Sequence, residues 1–158
     1  MMDILKEQYG LVKSSRAAVF EFIDAHVGKN LNTGVKAFDD RTIRYLLVHT
    51  ANTYVHWLHN FAFKKQAGFA DDLEFSNIEL IKSIYENADN AVDTFLAAFS
   101  GRLDEVISGT LSGNRAASAT PLQLFTHIIT HEFHHKGQIM TMCRLLGYPP
   151  PDTDIIRF

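Results

Sequence analysis

The stretch from Thr120 to Leu146 constrains this chain most, because both of its ends are written into the sequence. At the front, "TPLQ" places Thr120 as an N-cap, Pro121 at the first helical position and Gln123 three residues after the cap. There the Thr hydroxyl accepts from the Gln123 N–H and the Gln side chain accepts from the Thr120 N–H, so two exposed donors are satisfied together. At the back, Gly147 and then Pro149, Pro150 and Pro151 stop the pattern. A helix this long gains most of its stability from burying an apolar face against other elements.

Three more helical patterns supply those partners. The first runs from about Ile4 to Val27, with Leu5, Tyr9, Val12, Ala18, Phe20 and Phe22 among its apolar positions, and ends at Gly28. "GKNLNTGVKAFDD" follows as a loop. The second starts near Arg41 behind Asp40 as N-cap and ends near Gly68, with Leu47, Val48, Ala51, Val55, Leu58 and Ala62 as its stripe. The third opens at "SNIE", where Ser76 and Glu79 read as a capping box, and continues to about Phe99. Residues 100–119, with Gly101, Gly109 and Gly113, read as a loop with a short helical turn around Leu103–Ile107. No segment reads as a strand. Four helices of roughly 24 to 28 residues predict an all-α four-helix bundle, formed by a single domain spanning 1–158.

Composition removes several function classes. A net charge of −3 gives no basic footprint for nucleic acid. No apolar run is long enough for a membrane span, and "MMDILKEQYG" has no signal-peptide core. Cys143 stands alone, so no intrachain disulfide forms, which fits a reducing cytoplasm. The conspicuous residue is histidine: of eight, four lie between 127 and 135 and three between 49 and 59.

On the last helix, core-type positions recur at Leu124, Ile128, His131, His135, Gln138, Met142 and Leu145. Two histidines and a glutamine therefore replace apolar residues. An unpaired buried polar group costs about 1–3 kcal/mol, and a metal ion would satisfy the imidazoles. His131 and His135, at i and i+4, can converge on one ion. His127 also pairs with His131, but it stands about 12 Å along the axis from His135, so one ion suits only one of the two pairs. His134 points about 100° away from His135. The second helix offers the seam Tyr45, His49, Asn52, His56 and Phe63. His49 and His56 are about 10.5 Å apart along it, so one of them completes the site. Three imidazoles leave a coordination position for water or substrate, the mark of a catalytic site. The ion could lower the pKa of its water to about 7 or hold an exogenous thiol as thiolate. Tyr45, Asn52, His56 and Gln138 are candidates to shape the pocket or support the ligands.

The remaining conspicuous residues have plainer readings. His26, His59 and His134 read as surface or helix-end residues, Trp57 as a packing residue near the site and Cys143 as a small buried apolar one. Phe61, Phe63, Phe69, Phe75, Phe95, Phe99 and Phe125 read as core and not as an aromatic cage. His131-Glu132-Phe133-His134-His135 also spells the H-E-x-x-H of zinc proteases. That alternative is remote. Only 23 residues follow His135, they contain no His or Glu as a third ligand and only Asp152 and Asp154 as weak candidates, and no segment reads as a strand to hold a peptide. Glu132 then reads as a helix-surface residue.

"HTANTYVHWL" (49–58) and "HIITHEFHHKGQIMTMCRLLGYPPP" (127–151) resemble the DinB superfamily, the DNA-damage-inducible, YfiT-like metal-binding four-helix bundles. The most specific element is the H-x-x-H-H-basic-G-Q run at 131–138, with Lys136 where the family often has Arg. The resemblance implies a metal triad of His49, His131 and His135, a divalent ion that is zinc or nickel, and a homodimer. It also implies thiol-dependent transfer in some members, with a low-molecular-weight thiol such as bacillithiol or mycothiol. The leading expectation is a metal-dependent thiol transferase or hydrolase acting on a small molecule. The alternative is a non-enzymatic, metal-stabilised stress-response scaffold. Gly137, inside the helix, suggests a close helix or ligand approach.

Overall fold

The computed structural model describes residues 2–157. Its most regular element is set by the ends read above. Thr120 Oγ1 accepts from the Gln123 N–H at 3.2 Å, and the Thr120 N–H donates to Gln123 Oε1 at 2.8 Å. Helix α4 (Pro121–Leu145) follows, and Gly147 turns the chain away at φ 90°.

The other helices are α1 (Met2–Phe22), α2 (Ile43–Tyr54) and α3 (Ile78–Ala98). α1 runs on through a wider π-helical turn, Ile23–Val27, to Gly28 at φ 51°. α2 likewise widens into a π-helical segment, Val55–Ala62. It stops at Phe63 and not near Gly68, and residues 64–70 after it have no regular secondary structure, with Lys64 in the left-handed region at φ 56°.

Two helix starts differ from the sequence reading. Asp40 does not cap α2, because it lies in the left-handed region at φ 56°. Thr42 is extended, and its hydroxyl accepts from the Tyr45 N–H at 3.0 Å. The Ser76–Glu79 box does not form. Asn77 is the cap of α3, accepting from the Leu80 N–H at 3.0 Å. Moving the cap by one residue takes Glu79 out of the box position, and it pairs with Lys82 at 2.6 Å.

The all-α expectation also needs correction. Residues 107–119 contain an antiparallel hairpin, β1 (Ile107–Leu111) with β2 (Arg115–Ala119), in register from Ile107 opposite Ala119 to Leu111 opposite Arg115. Its residues, "ISGTL" and "RAASA", are mostly small and weak in strand preference, so the pattern was invisible. Packing decides instead. A Cβ at Gly109 would stand 2.8 Å from Phe61 Cε2, so only glycine lets the hairpin lie this close to the end of the second helix. The chain is mostly helical with this one small sheet among the described residues. None of its described helices is long and apolar enough to cross a membrane.

The apolar core is divided along the helices. One cluster holds Val19 and Phe20 of α1, Leu46 and Ala51 of α2, Tyr85 of α3, and Ile139 and Met142 of α4. The other holds Tyr9 and Val12 of α1, Tyr54 of α2, Ala88 and Val92 of α3, and Phe125 and Ile129 of α4. On every helix the break falls at the same level, and polar side chains fill it.

Candidate metal centre

The first occupant of that level is a buried charged layer. Arg16 of α1 is 7% exposed. Its Nε donates to Glu132 Oε1 at 2.8 Å and its Nη2 to Glu132 Oε2 at 3.0 Å. Nη1 donates to Asp89 Oδ1 at 2.7 Å and Nη2 to the Tyr9 hydroxyl at 3.0 Å. Tyr9 donates to Asp89 at 2.6 Å, and Tyr54 donates to Glu132 Oε2. All four helices thus contribute to one network. Burial works against the Arg16 charge, but the adjoining Glu132 carboxylate outweighs it and holds the guanidinium protonated. Burial foremost raises the Tyr9 and Tyr54 hydroxyls far above their ordinary value, so both remain donors.

This layer corrects the reading of α4. Leu124, Ile128, His135 and Met142 of the expected stripe are buried, but the buried face is wider and also takes in Phe125, Ile129, Glu132, Ile139 and Cys143. Glu132 is a core residue and not a surface one, and Leu145, assigned to the stripe, is 56% exposed. With both oxygens held by Arg16 and Tyr54, Glu132 is not placed as the base of an H-E-x-x-H protease. The missed signal was Arg16 itself. Leu5, Tyr9, Val12, Arg16 and Val19 follow steps of four and three, which put a charge in the core stripe of α1.

The second occupant is the histidine group. His131 precedes Glu132 by one residue, about 100° round the helix, and so faces the edge of the buried stripe. His135 lies on the stripe one turn later. His49 reaches them from α2. Each of the three offers a ring nitrogen, and these atoms lie within 4.8 Å of one another. Ring centroids are 5.3 Å apart for His49 and His131, 4.9 Å for His49 and His135, and 4.4 Å for His131 and His135.

Their surroundings suit ligands. Gln138 Oε1 is 2.6 Å from His135 Nδ1 and accepts its proton, which leaves Nε2 as the lone-pair nitrogen. Gln138 is thereby placed behind a ligand. His131 Nδ1 is buried and has no hydrogen-bond partner among the described residues. Burial foremost lowers the pKa of all three; neighbouring positive charge adds to it at His49 and His131, taking His131 down to about 4, while at His135 the Gln138 contact opposes it without reversing it. They are therefore neutral at pH 7, the form that binds a metal. Three convergent neutral imidazoles and an orphaned buried ring nitrogen fit a divalent ion.

A cavity of about 680 Å³ opens beside His49 and His131. Tyr45 stacks on His49, with centroids 6.1 Å apart and planes within 7°. His56 and His127 also face the cavity, but neither joins the triad. Trp57 lies between them, 4.9 Å from each ring. It lines the cavity and so does more than pack nearby. Phe69 is not core: it is 57% exposed and lines the same cavity. Asn52 borders the cavity, but its amide is bound to the backbone of Ala70.

Lys136 leaves the triad alone. Its Nζ donates to Thr153 O at 2.8 Å and to Ser15 Oγ at 3.1 Å, fastening the final segment over α1 and α4. His134 is exposed, as expected. Gly137 meets no close approach, since a Cβ there would touch nothing within 4 Å, and the structure gives no reason for a glycine at this position.

None of the curated proteins compared with the chain matches it. The model of the DinB family, in contrast, covers residues 5–158, so the relationship suggested by the histidine run holds over almost the entire length and this chain belongs to the DinB family.

Proposed function

We propose that the chain is a metal-dependent transferase or hydrolase for a small molecule, with a low-molecular-weight thiol as a fitting co-substrate. The observation that carries this reading is the placement of the triad: His49 and His131 line a cavity of about 680 Å³, large enough for a small organic ligand. His49, His131 and His135 hold the ion, zinc or nickel, and Gln138 orients His135. When bound, the ion supplies a Lewis acid that activates a water or thiol nucleophile. The protein's own part is to keep three imidazoles neutral and convergent, and to wall the reacting molecule with Tyr45, Trp57 and the segment around Phe69. In this reading the helices form one DinB-type four-helix bundle that works in a reducing compartment such as the cytoplasm, as a homodimer.

The scaffold alternative is the weaker one. The Arg16–Glu132–Asp89–Tyr54 layer already joins all four helices at the level of the triad. A structural ion there would duplicate that role.

Metal analysis of protein purified without a His-tag tests the centre. One equivalent per chain is expected in the parent, and a large loss in H49A/H131A/H135A. Full metal content in the triple variant would sink the assignment. Thiol consumption against an electrophile panel, measured with zinc- or nickel-loaded and stripped protein, tests the activity. Equal rates in both would remove the metal from the reaction.

A further inference from the structure

The cavity carries a set of features that the metal centre does not use. After the second helix ends at Phe63, the chain passes through an irregular strap that reaches the cavity at Phe69 and Ala70, and two asparagines hold it. Asn60 accepts from the Ala67 N–H at 2.8 Å and donates to Ala67 O at 3.0 Å. Asn52 accepts from the Ala70 N–H at 2.9 Å and donates to Ala70 O at 2.8 Å. Each side-chain amide thus pairs with both backbone groups of one residue, as a neighbouring strand would. Phe69 lies between the two clasps. Its backbone is fixed, yet its ring is 57% exposed.

That ring begins a continuous row. Phe69 is 6.1 Å from His56, His56 4.9 Å from Trp57, Trp57 4.9 Å from His127, and His127 5.7 Å from His131. Spacings of 4.5–7 Å are those of interacting rings. The row leads from the strap to the triad along the cavity. No Lys or Arg lines that cavity, whereas Asp71 and Asp72 do. Asp72 is paired with Arg44 at 3.1 Å, whereas Asp71 has no ion-pair partner among the described residues; Arg41 stands at the other end of the cavity, over the Tyr45 ring at 5.2 Å.

We propose that Phe69 and Trp57 form a subsite for the planar ring of an uncharged or cationic small molecule, and that Phe69 is its specificity-determining residue. The donor end of that molecule faces His49 and His131. This rests on the cavity being the substrate chamber of the metal centre. Anionic analogues of the same ring are disfavoured, because the unpaired Asp71 carboxylate stands at the strap and no Lys or Arg joins the lining among the described residues.

Trp57 is the only tryptophan, so its emission reports occupancy directly. The probes are benzyl alcohol, cyclohexylmethanol of similar size without a flat π-face, and benzoate with the same ring and a negative charge. They are titrated into zinc-loaded protein and again after EDTA treatment, where benzoate cannot gain from the ion. In the EDTA-treated protein, benzyl alcohol is expected to perturb the emission saturably, with the other two at least about threefold weaker. Phe69→Ala should weaken benzyl alcohol about three- to tenfold, and Phe69→Tyr should restore it. Phe69 is exposed, so the Ala variant should keep the parent's thermal midpoint, which makes a loss of binding attributable to the ring. Equal affinity for the two alcohols, preference for benzoate, no saturable binding, or no effect of Phe69→Ala would each overturn the subsite. The metal reading fails separately: a parent protein that takes up no zinc removes the ion, and saturable ring binding by that same protein leaves the subsite standing.

Discussion

Removing Arg16 should destabilise the protein more than most single substitutions. Arg16→Met retains much of the side-chain bulk and removes the guanidinium. Glu132 then keeps only the Tyr54 hydroxyl, and Asp89 keeps only Tyr9, although Glu132 is 7% exposed. Breaking a buried pair by deleting one partner costs about 3–5 kcal/mol, because the remaining charge is uncompensated. In a domain of this size each kcal/mol moves the melting midpoint by about 2–4 °C, so the expected fall is roughly 6–20 °C. The expected loss is also a large share of a typical stability of about 5–15 kcal/mol. The compensating variant is Arg16→Met with Glu132→Leu and Tyr54→Phe, which removes the more deeply buried carboxylate and its hydroxyl partner and leaves Asp89, 26% exposed, with the Tyr9 hydroxyl. Apolar replacement of a buried ion pair is often neutral or stabilising, so most of the lost stability should return. Urea and thermal unfolding of metal-stripped protein measure both without interference from the ion. A loss below about 1 kcal/mol in Arg16→Met would refute the reasoning, since that is the value of an exposed pair. So would a triple variant less stable than the single one.

Three further outcomes follow from the same geometry. Gln138→Leu removes the acceptor on His135 Nδ1, and metal affinity, measured by competition with a chelating dye, should fall about 10- to 100-fold; affinity within twofold of the parent would show that the contact does not support the ligand. Zinc or nickel at about 100-fold over its Kd should stabilise stripped protein by about 2.7 kcal/mol, and an unchanged thermal midpoint would count against a folded-state site. Burial pushes the Cys143 thiol up to about 11, and a raised acid pKa keeps it neutral; iodoacetamide at pH 8 should therefore label native protein slowly and urea-unfolded protein fast, and rapid native labelling would contradict the buried placement.

What the sequence made legible was whatever local chemistry determines. The Thr120–Gln123 box and the Gly147 stop were readable because capping depends on neighbours a few residues apart. The convergence of His131 and His135 followed from helical spacing, whereas spacing alone could not choose between His49 and His56. That choice depends on how far along α2 the other helix crosses, which is a tertiary quantity; the family resemblance pointed to His49, and His49 is the one within reach. The hairpin escaped notice because its stability comes from lying on Phe61, and "ISGTL" has little intrinsic strand character. Glu132 was misread because the stripe was drawn through its neighbour His131. A partner for it existed in the sequence, since Arg16 interrupts the apolar spacing of α1, but two core charges more than a hundred residues apart give no local sign that they meet.

The two polar groups at the middle of the fold also divide labour. Glu132 and His131 are consecutive, yet one turns into the helices and the other toward the cavity. The inward group is complete: Arg16, Asp89, Tyr9, Tyr54 and Glu132 satisfy one another. The outward group is not, for His131 Nδ1 has no partner among the described residues. An unsatisfied buried nitrogen is tolerated where it serves a ligand, and it lies next to a network rigid enough to hold α4 in rotation. The charged layer joins all four helices at this level by its own contacts, and in the reading proposed above its effect is to aim His131 and His135 at His49. On this argument Arg16→Met should weaken metal binding as well as stability, although Arg16 touches none of the three ligands. Metal affinity equal to the parent's in the folded variant, measured well below its melting midpoint, would separate the two functions and refute the link.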